Sequence, residues 1–141
     1  MSISRRDLCV LLPALVAAGG FAEVPGSENP LLPSAVYNLQ DLPAHGNARS
    51  RSVPIFSGTN HAGVKLSLHE TDLAPGASPH PPHHHVNEEI FLMRAGLLEV
   101  TIDGKTSQLS PGSVAYVASN AVHGVHNAGR EHALYFVLEV G

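Results

Sequence analysis

The sequence contains no tryptophan and a single cysteine, Cys9, among its 141 residues. A disulfide framework is therefore excluded, and the fold must hold itself together by other means. Charge is also scarce, with eight Lys and Arg, twelve Asp and Glu, and a formal net charge of −4. The basic residues are scattered, so none of them cluster to follow a phosphate backbone, and nucleic acid is excluded as a partner. Helical periodicity is missing beyond the N-terminal segment. No internal repeat stands out.

The chain is rich instead in histidine (ten), proline (eleven) and glycine (thirteen). Abundant Pro and Gly mark frequent turns between short strands. Histidine is the commonest metal ligand and the side chain that titrates nearest neutrality.

The first residues have the layout of an export signal: Arg5 and Arg6, an apolar run from Leu8 to Ala18, then small residues through Gly19, Gly20 and Ala22. The apolar run is short for a bilayer span and contains Pro13. Ser4-Arg5-Arg6-Asp7-Leu8 resembles a twin-arginine signal, with Leu8 where Phe is usual. The expectation is a cleaved signal over residues 1–22, a Pro-rich linker over 23–35 that packs little, and one domain over 36–141. The protein would be periplasmic or extracellular, with no stable membrane anchor after cleavage. An uncleaved anchor and a helix of the domain are the competing readings.

The domain reads as strands and turns. Val36–Leu39 is expected as an edge strand and residues 41–54 as loop. Val64–His69 alternates apolar and polar, Glu89–Ala95 is strongly apolar, and Leu98–Ile102 alternates again. Asp103-Gly104 signals a two-residue hairpin turn. Ser113–Ala118, Val122–Asn127 and His132–Val140 supply three more strands. Many short strands at even spacing predict an all-β sandwich or barrel.

The chemistry concentrates in Pro79-His80-Pro81-Pro82-His83-His84-His85-Val86-Asn87-Glu88-Glu89. On a strand, His83 and His85 share a face, His84 opposes them, and Glu89 has their parity. A carboxylate beside several imidazoles inside a barrel calls for a compensating cation. His123 adds a fourth candidate from an apolar strand. Bland readings compete at each point: a histidine run binds metals adventitiously at a surface, Glu88-Glu89 serves as a solvated pair, and a lone His123 serves as a satisfied core residue.

Two stretches resemble the paired motifs of the cupin superfamily. The first runs from Gly76 through His83, His85 and Glu89 to Gly96, with one residue more than usual between Gly76 and His83. The second runs from Gly112 through Ala118, Asn120 and His123 to Asn127, with Ala118 where Pro is usual and Asn120 where Gly is usual. The resemblance implies a single cupin β-barrel, that is, a jelly roll or double-stranded β-helix. It implies that His83, His85, Glu89 and His123 ligate one divalent metal, with Fe, Mn, Ni, Cu, Co and Zn all compatible.

The family hosts many reactions, so the resemblance specifies the fold and metal site better than the chemistry. The favoured expectation is a metal-dependent oxidoreductase of the dioxygenase kind acting on a small organic molecule. The alternatives are a non-catalytic module binding a small molecule or metal, and a Lewis-acid isomerase or lyase. His80, at the expected mouth, and Tyr116, on a bordering strand, stand as candidate catalytic residues. Open sheet edges at Val36–Leu39 and Val53–Phe56 predict a homodimer.

Overall fold

A computed structural model describes residues 30–141; the signal segment 1–22 lies outside them, as does most of the linker. The described residues form nine strands: β1 (His45–Gly46), β2 (Ser50–Thr59), β3 (Lys65–Leu73), β4 (Glu88–Ala95), β5 (Leu98–Ile102), β6 (Lys105–Leu109), β7 (Val114–Val117), β8 (His123–His126) and β9 (Ala133–Val140). Their order is β1-β2-β3-β9-β4-β7 in one sheet and β6-β5-β8 in the other. All pairings within the two sheets are antiparallel. This is the all-β jelly roll expected. Among the described residues no helix is long and apolar enough to cross a membrane.

Turn chemistry closes the hairpins. Asp103 (φ 48°) and Gly104 (φ 80°) both adopt the left-handed conformation that a tight β5–β6 turn demands. At Gly96 (φ 82°), a Cβ would lie 2.4 Å from the His132 carbonyl oxygen, so no other residue fits without backbone movement.

Three expectations at the domain start are corrected. Val36–Leu39 is not a strand; a short 3₁₀ turn occupies Leu39–Asp41, and Val36 projects into solvent. Residues 50–54 are not loop but the first half of β2. Pro54 is tolerated there because the pairing with β3 shifts between Pro54 and Phe56, an irregularity that suits a residue without an N–H. The linker is not free throughout: Leu32 N donates to Thr59 O and Thr59 N donates to Pro30 O, fastening residues 30–32 along β2.

The inner face of the long sheet carries a gradient. Along β3 it runs His69, Thr71, Leu73; along β4, Glu89, Phe91, Met93; along β9 in reverse, Glu139, Val137, Tyr135, Ala133. Cross-strand register sets like beside like, with Glu89 opposite Glu139 and Leu73 opposite Ala133. The apolar end is filled by Leu73, Met93, Leu98, Leu109 and Ala133, all buried. The polar end opens into a cavity.

Candidate metal centre and cavity

Two loops meet to build the centre. His83 and His123 exchange backbone hydrogen bonds, His83 N to His123 O at 2.9 Å and His123 N to His83 O at 2.8 Å. Asn120 N donates to His85 O at 2.8 Å, a second tie between the same loops. Gly124 permits this approach, because a Cβ there would meet Pro82 atoms at 3.2–3.4 Å. His83 and His85 therefore converge through a loop that forms one isolated bridge, and not through a regular strand as parity had suggested.

One ligand atom from each of His83, His85 and His123 lies within 4.8 Å of the others. Glu89 joins them, with Oε1 3.2 Å from His85 Nε2 and Oε2 3.1 Å from His123 Nε2. His85 Nδ1 sits 2.9 Å from Asn87 O, and His123 Nδ1 sits 2.9 Å from Ala121 O. A carbonyl only accepts, so each Nδ1 carries a proton, and each ring turns Nε2 inward, the atom a cation would use. His123 Nε2 and His83 Nδ1 are buried without a hydrogen-bond partner. Glu89 Oε2 lies 3.1 Å from His123 Nε2, so this contact needs either a proton on that nitrogen or a cation between the two atoms. Lone pairs gathered around one point without a donor are costly unless a cation sits among them. The three histidines can hold a metal ion, and the donor set fits a divalent one.

His83 feels its surroundings: burial, then His80, His123 and His85, push its imidazole below the ordinary 6.5, while Glu89 pulls the other way. His80 stands at the mouth with its ring edge-on to His83, centroids 4.3 Å apart. His84 is exposed, and His126 is also exposed, 3.3 Å from Ser78 Oγ. Asn127 is fully buried and serves the backbone, donating to Leu73 O and Glu131 O and accepting from Gly129 N.

The cluster opens into a cavity of about 380 Å³. His80 lines it. Tyr116 does not: it pairs with Ile90 on the outer face of the sheet, is exposed, and hydrogen-bonds Glu88, which raises its phenol pKa. That position removes Tyr116 from the site. Among the other aromatic residues on these strands, Phe91 and Tyr135 line the cavity, whereas Phe136 takes the outward-facing parity of β9.

One cavity residue, His69, was missed in the sequence, and the state of a second, Tyr135, was not foreseen. His69 lines the wall, and burial lowers its pKa against the opposing pull of Glu139 and Glu89. Tyr135 is buried, and burial raises its phenol pKa above the ordinary value, with a Thr71 hydrogen bond opposing and Glu89 adding to the rise. The available signal was the parity of Lys65, Ser67, His69 and Thr71 on β3. Of that polar row, His69 and Thr71 line the open end of the barrel.

A cupin domain family model matches residues 69–140. The chain belongs to the cupin superfamily. It is 32% identical over 82 residues to dimethylsulfoniopropionate lyase DddW of Ruegeria pomeroyi, an alignment covering 58% of this chain and 52% of that protein. The chain thus spans about half the length of this curated relative. Among solved structures, KdgF from Halomonas sp. superposes with a TM-score of 0.66 at 18% identity, covering 75% of this chain and 94% of that one. An RmlC-like cupin from Shewanella frigidimarina gives a TM-score of 0.62 at 16% identity, covering 76% and 91%. At these identities the structural likeness speaks to the fold alone.

Proposed function

We propose that the protein is a metal-dependent enzyme of the lyase or isomerase kind, in which His83, His85, Glu89 and His123 hold one divalent ion. The observation that carries this reading is that the cavity beside the cluster also holds a proton acceptor and a proton donor. Burial keeps His69 neutral and thus able to take a proton; Tyr135 stays protonated and able to donate a hydrogen bond. A bound divalent ion would supply Lewis acidity toward an oxygen of the substrate. The rest falls to the chain: Phe91, Val125 and Val137 give the cavity apolar walls, and His80 flanks its mouth. Similarity to a lyase supports the same class.

The dioxygenase reading remains the second, favoured by a donor set of three imidazoles and a carboxylate that suits redox-active ions. Metal content of the purified protein, followed by assays of zinc-loaded and iron-loaded samples, separates the two. Dimethylsulfoniopropionate and related small acids are the first substrates to try. Turnover with zinc and no O₂ uptake supports the lyase or isomerase. Turnover only with iron and stoichiometric O₂ uptake overturns it in favour of the dioxygenase. Metal binding without turnover of any kind leaves a binding module.

We further propose export through the twin-arginine-like segment, tested by changing Arg5 and Arg6 to Lys and following processing. A homodimer is proposed as well. Support comes from Leu92, Val114 and Tyr116, apolar or aromatic residues exposed on the outer face of the long sheet. A monomeric mass at micromolar concentration would count against it.

A further inference from the structure

Among the described residues, none that lines the cavity is a lysine or an arginine. The wall does contain a carboxylate that the metal centre does not use. Glu139 on β9 lies directly opposite Glu89 on β4, and both line the cavity. Like charges at directly opposed positions destabilise a sheet, so the second carboxylate needs a reason. Among the described residues four pairs of basic and acidic side chains lie within 4 Å, three of them through histidine, and Glu139 is in none of them. Lys65 borders an adjoining hollow with Glu139, but it is exposed and lies beyond ion-pair distance.

The rest of the wall suits a cation with apolar substituents. Phe91 and Tyr135 line the same cavity, with ring centroids 6.1 Å apart and planes tilted by 43°. Aromatic faces attract cations, and the attraction grows where water is excluded. Val125 and Val137 complete an apolar surface of the kind a methylated onium group covers. Charge balance agrees: a divalent ion on Glu89 leaves one positive charge, and Glu139 supplies one negative charge some distance along the wall. A small molecule with an anionic or polar end and a cationic end matches both.

We propose that the cavity selects a small molecule bearing an onium or ammonium group, and that Glu139 is the specificity-determining residue. The inference rests on the reading of this cavity as the substrate site of a metal enzyme. The competing role for Glu139 is to balance the charge of the metal and nothing more.

The test titrates zinc-loaded protein with choline and with its uncharged isostere dimethylbutanol, in which carbon replaces the quaternary nitrogen. Choline should bind on the order of tenfold more tightly. Glu139→Gln should bring the two affinities together without lowering zinc content, and Glu139→Asp should keep most of the preference. Equal affinities in the parent protein, no choline binding at tens of millimolar, or an unchanged preference in Glu139→Gln would each overturn the proposal. Loss of zinc in Glu139→Gln with the preference intact would assign the residue to charge balance instead. Should the parent protein take up no zinc, the metal-enzyme reading fails by itself, and the same titration on that sample still decides the charge preference.

Discussion

The two ends of the barrel interior are built on the same strands and obey opposite rules. At the closed end, Leu73, Leu98 and Ala133 are fully buried, and removal of apolar surface from water stabilises the fold. At the open end, Glu89 lies four residues from Met93 on β4 and Glu139 six from Ala133 on β9, and with His123 of β8 they gather lone pairs and negative charge that the fold alone does not satisfy. One end is made stable by the chain; the other would be made stable by a bound ion. The strand period of two serves both, because it fixes which residues face inward and leaves their chemistry to change along the row.

The largest effects should come from breaking the closed end. Leu98→Ala should cost about 2–5 kcal/mol, the range for a buried leucine that leaves a cavity. Because Leu98 is remote in kind from the metal cluster, thermal or denaturant unfolding should show the same loss with and without chelator. A loss that disappears in chelator would mean that the two ends are not energetically separate.

The open end should behave in the opposite way. His123→Leu should abolish stoichiometric metal uptake and with it the metal's contribution, about 2.7 kcal/mol when free metal is a hundredfold above its Kd. In chelator, however, the variant should unfold with the parent or later, because it replaces an unpaired buried acceptor by an apolar group of similar size. Paired melts of parent and variant, each with and without chelator, measure both numbers. A variant much less stable than the parent in chelator would mark His123 as a core residue first.

Titration sharpens the contrast further. Burial lowers the pKa values of His69 and His83 in the folded chain below 6.5. In metal-free protein the unfolded chain therefore binds more protons just below that value. Stability is fully present above about pH 6.5 and declines as pH falls toward the lowered folded values. His69→Asn should flatten this decline and should leave the Leu98→Ala loss unchanged. Melting temperatures across the acid range, with chelator present throughout, check it; an unaltered slope in His69→Asn would show that His69 does not carry the effect.

The fold was open to reading because turns and alternation are local signals. Asp103-Gly104 needs positive φ at both residues, and both have it. Glu89, Phe91 and Met93 share parity, and all three are buried on one face. The sequence was silent where position depends on distant chain. Residues 50–54 were expected as loop because they end in Pro54, and only the shifted pairing with β3 shows where its missing N–H is harmless. Tyr116 and Tyr135 were indistinguishable as aromatic residues on strands, and their placement outside and inside the barrel follows from register with β4 and β9. His69 was hidden for a subtler reason. Polar residues alternating with leucines suggest a solvent-facing row, and only a barrel with a polar interior end turns that row inward.

The smallest expected effect lies in the loop that joins the second motif to the centre. Asn120 stands where the cupin pattern usually has Gly, and its φ of 63° is left-handed, as a glycine's would be. Asn tolerates that conformation better than other residues with a Cβ, but not without cost. Its side chain only donates to the neighbouring Ser119 Oγ, at 3.0 Å, whereas its backbone N–H ties the loop to His85 O. Asn120→Gly should therefore keep the tie and relieve the strain, with a change in stability of no more than about 1 kcal/mol and unchanged metal affinity. Asn120→Val should lose about 1–2 kcal/mol, since a β-branched residue is strained at positive φ. It should also weaken metal binding, because the same backbone hydrogen bond positions His85. Metal titration alongside denaturant unfolding separates the two readouts. If Asn120→Val loses stability yet binds metal as the parent does, the loop contributes to the barrel and not to the geometry of the centre.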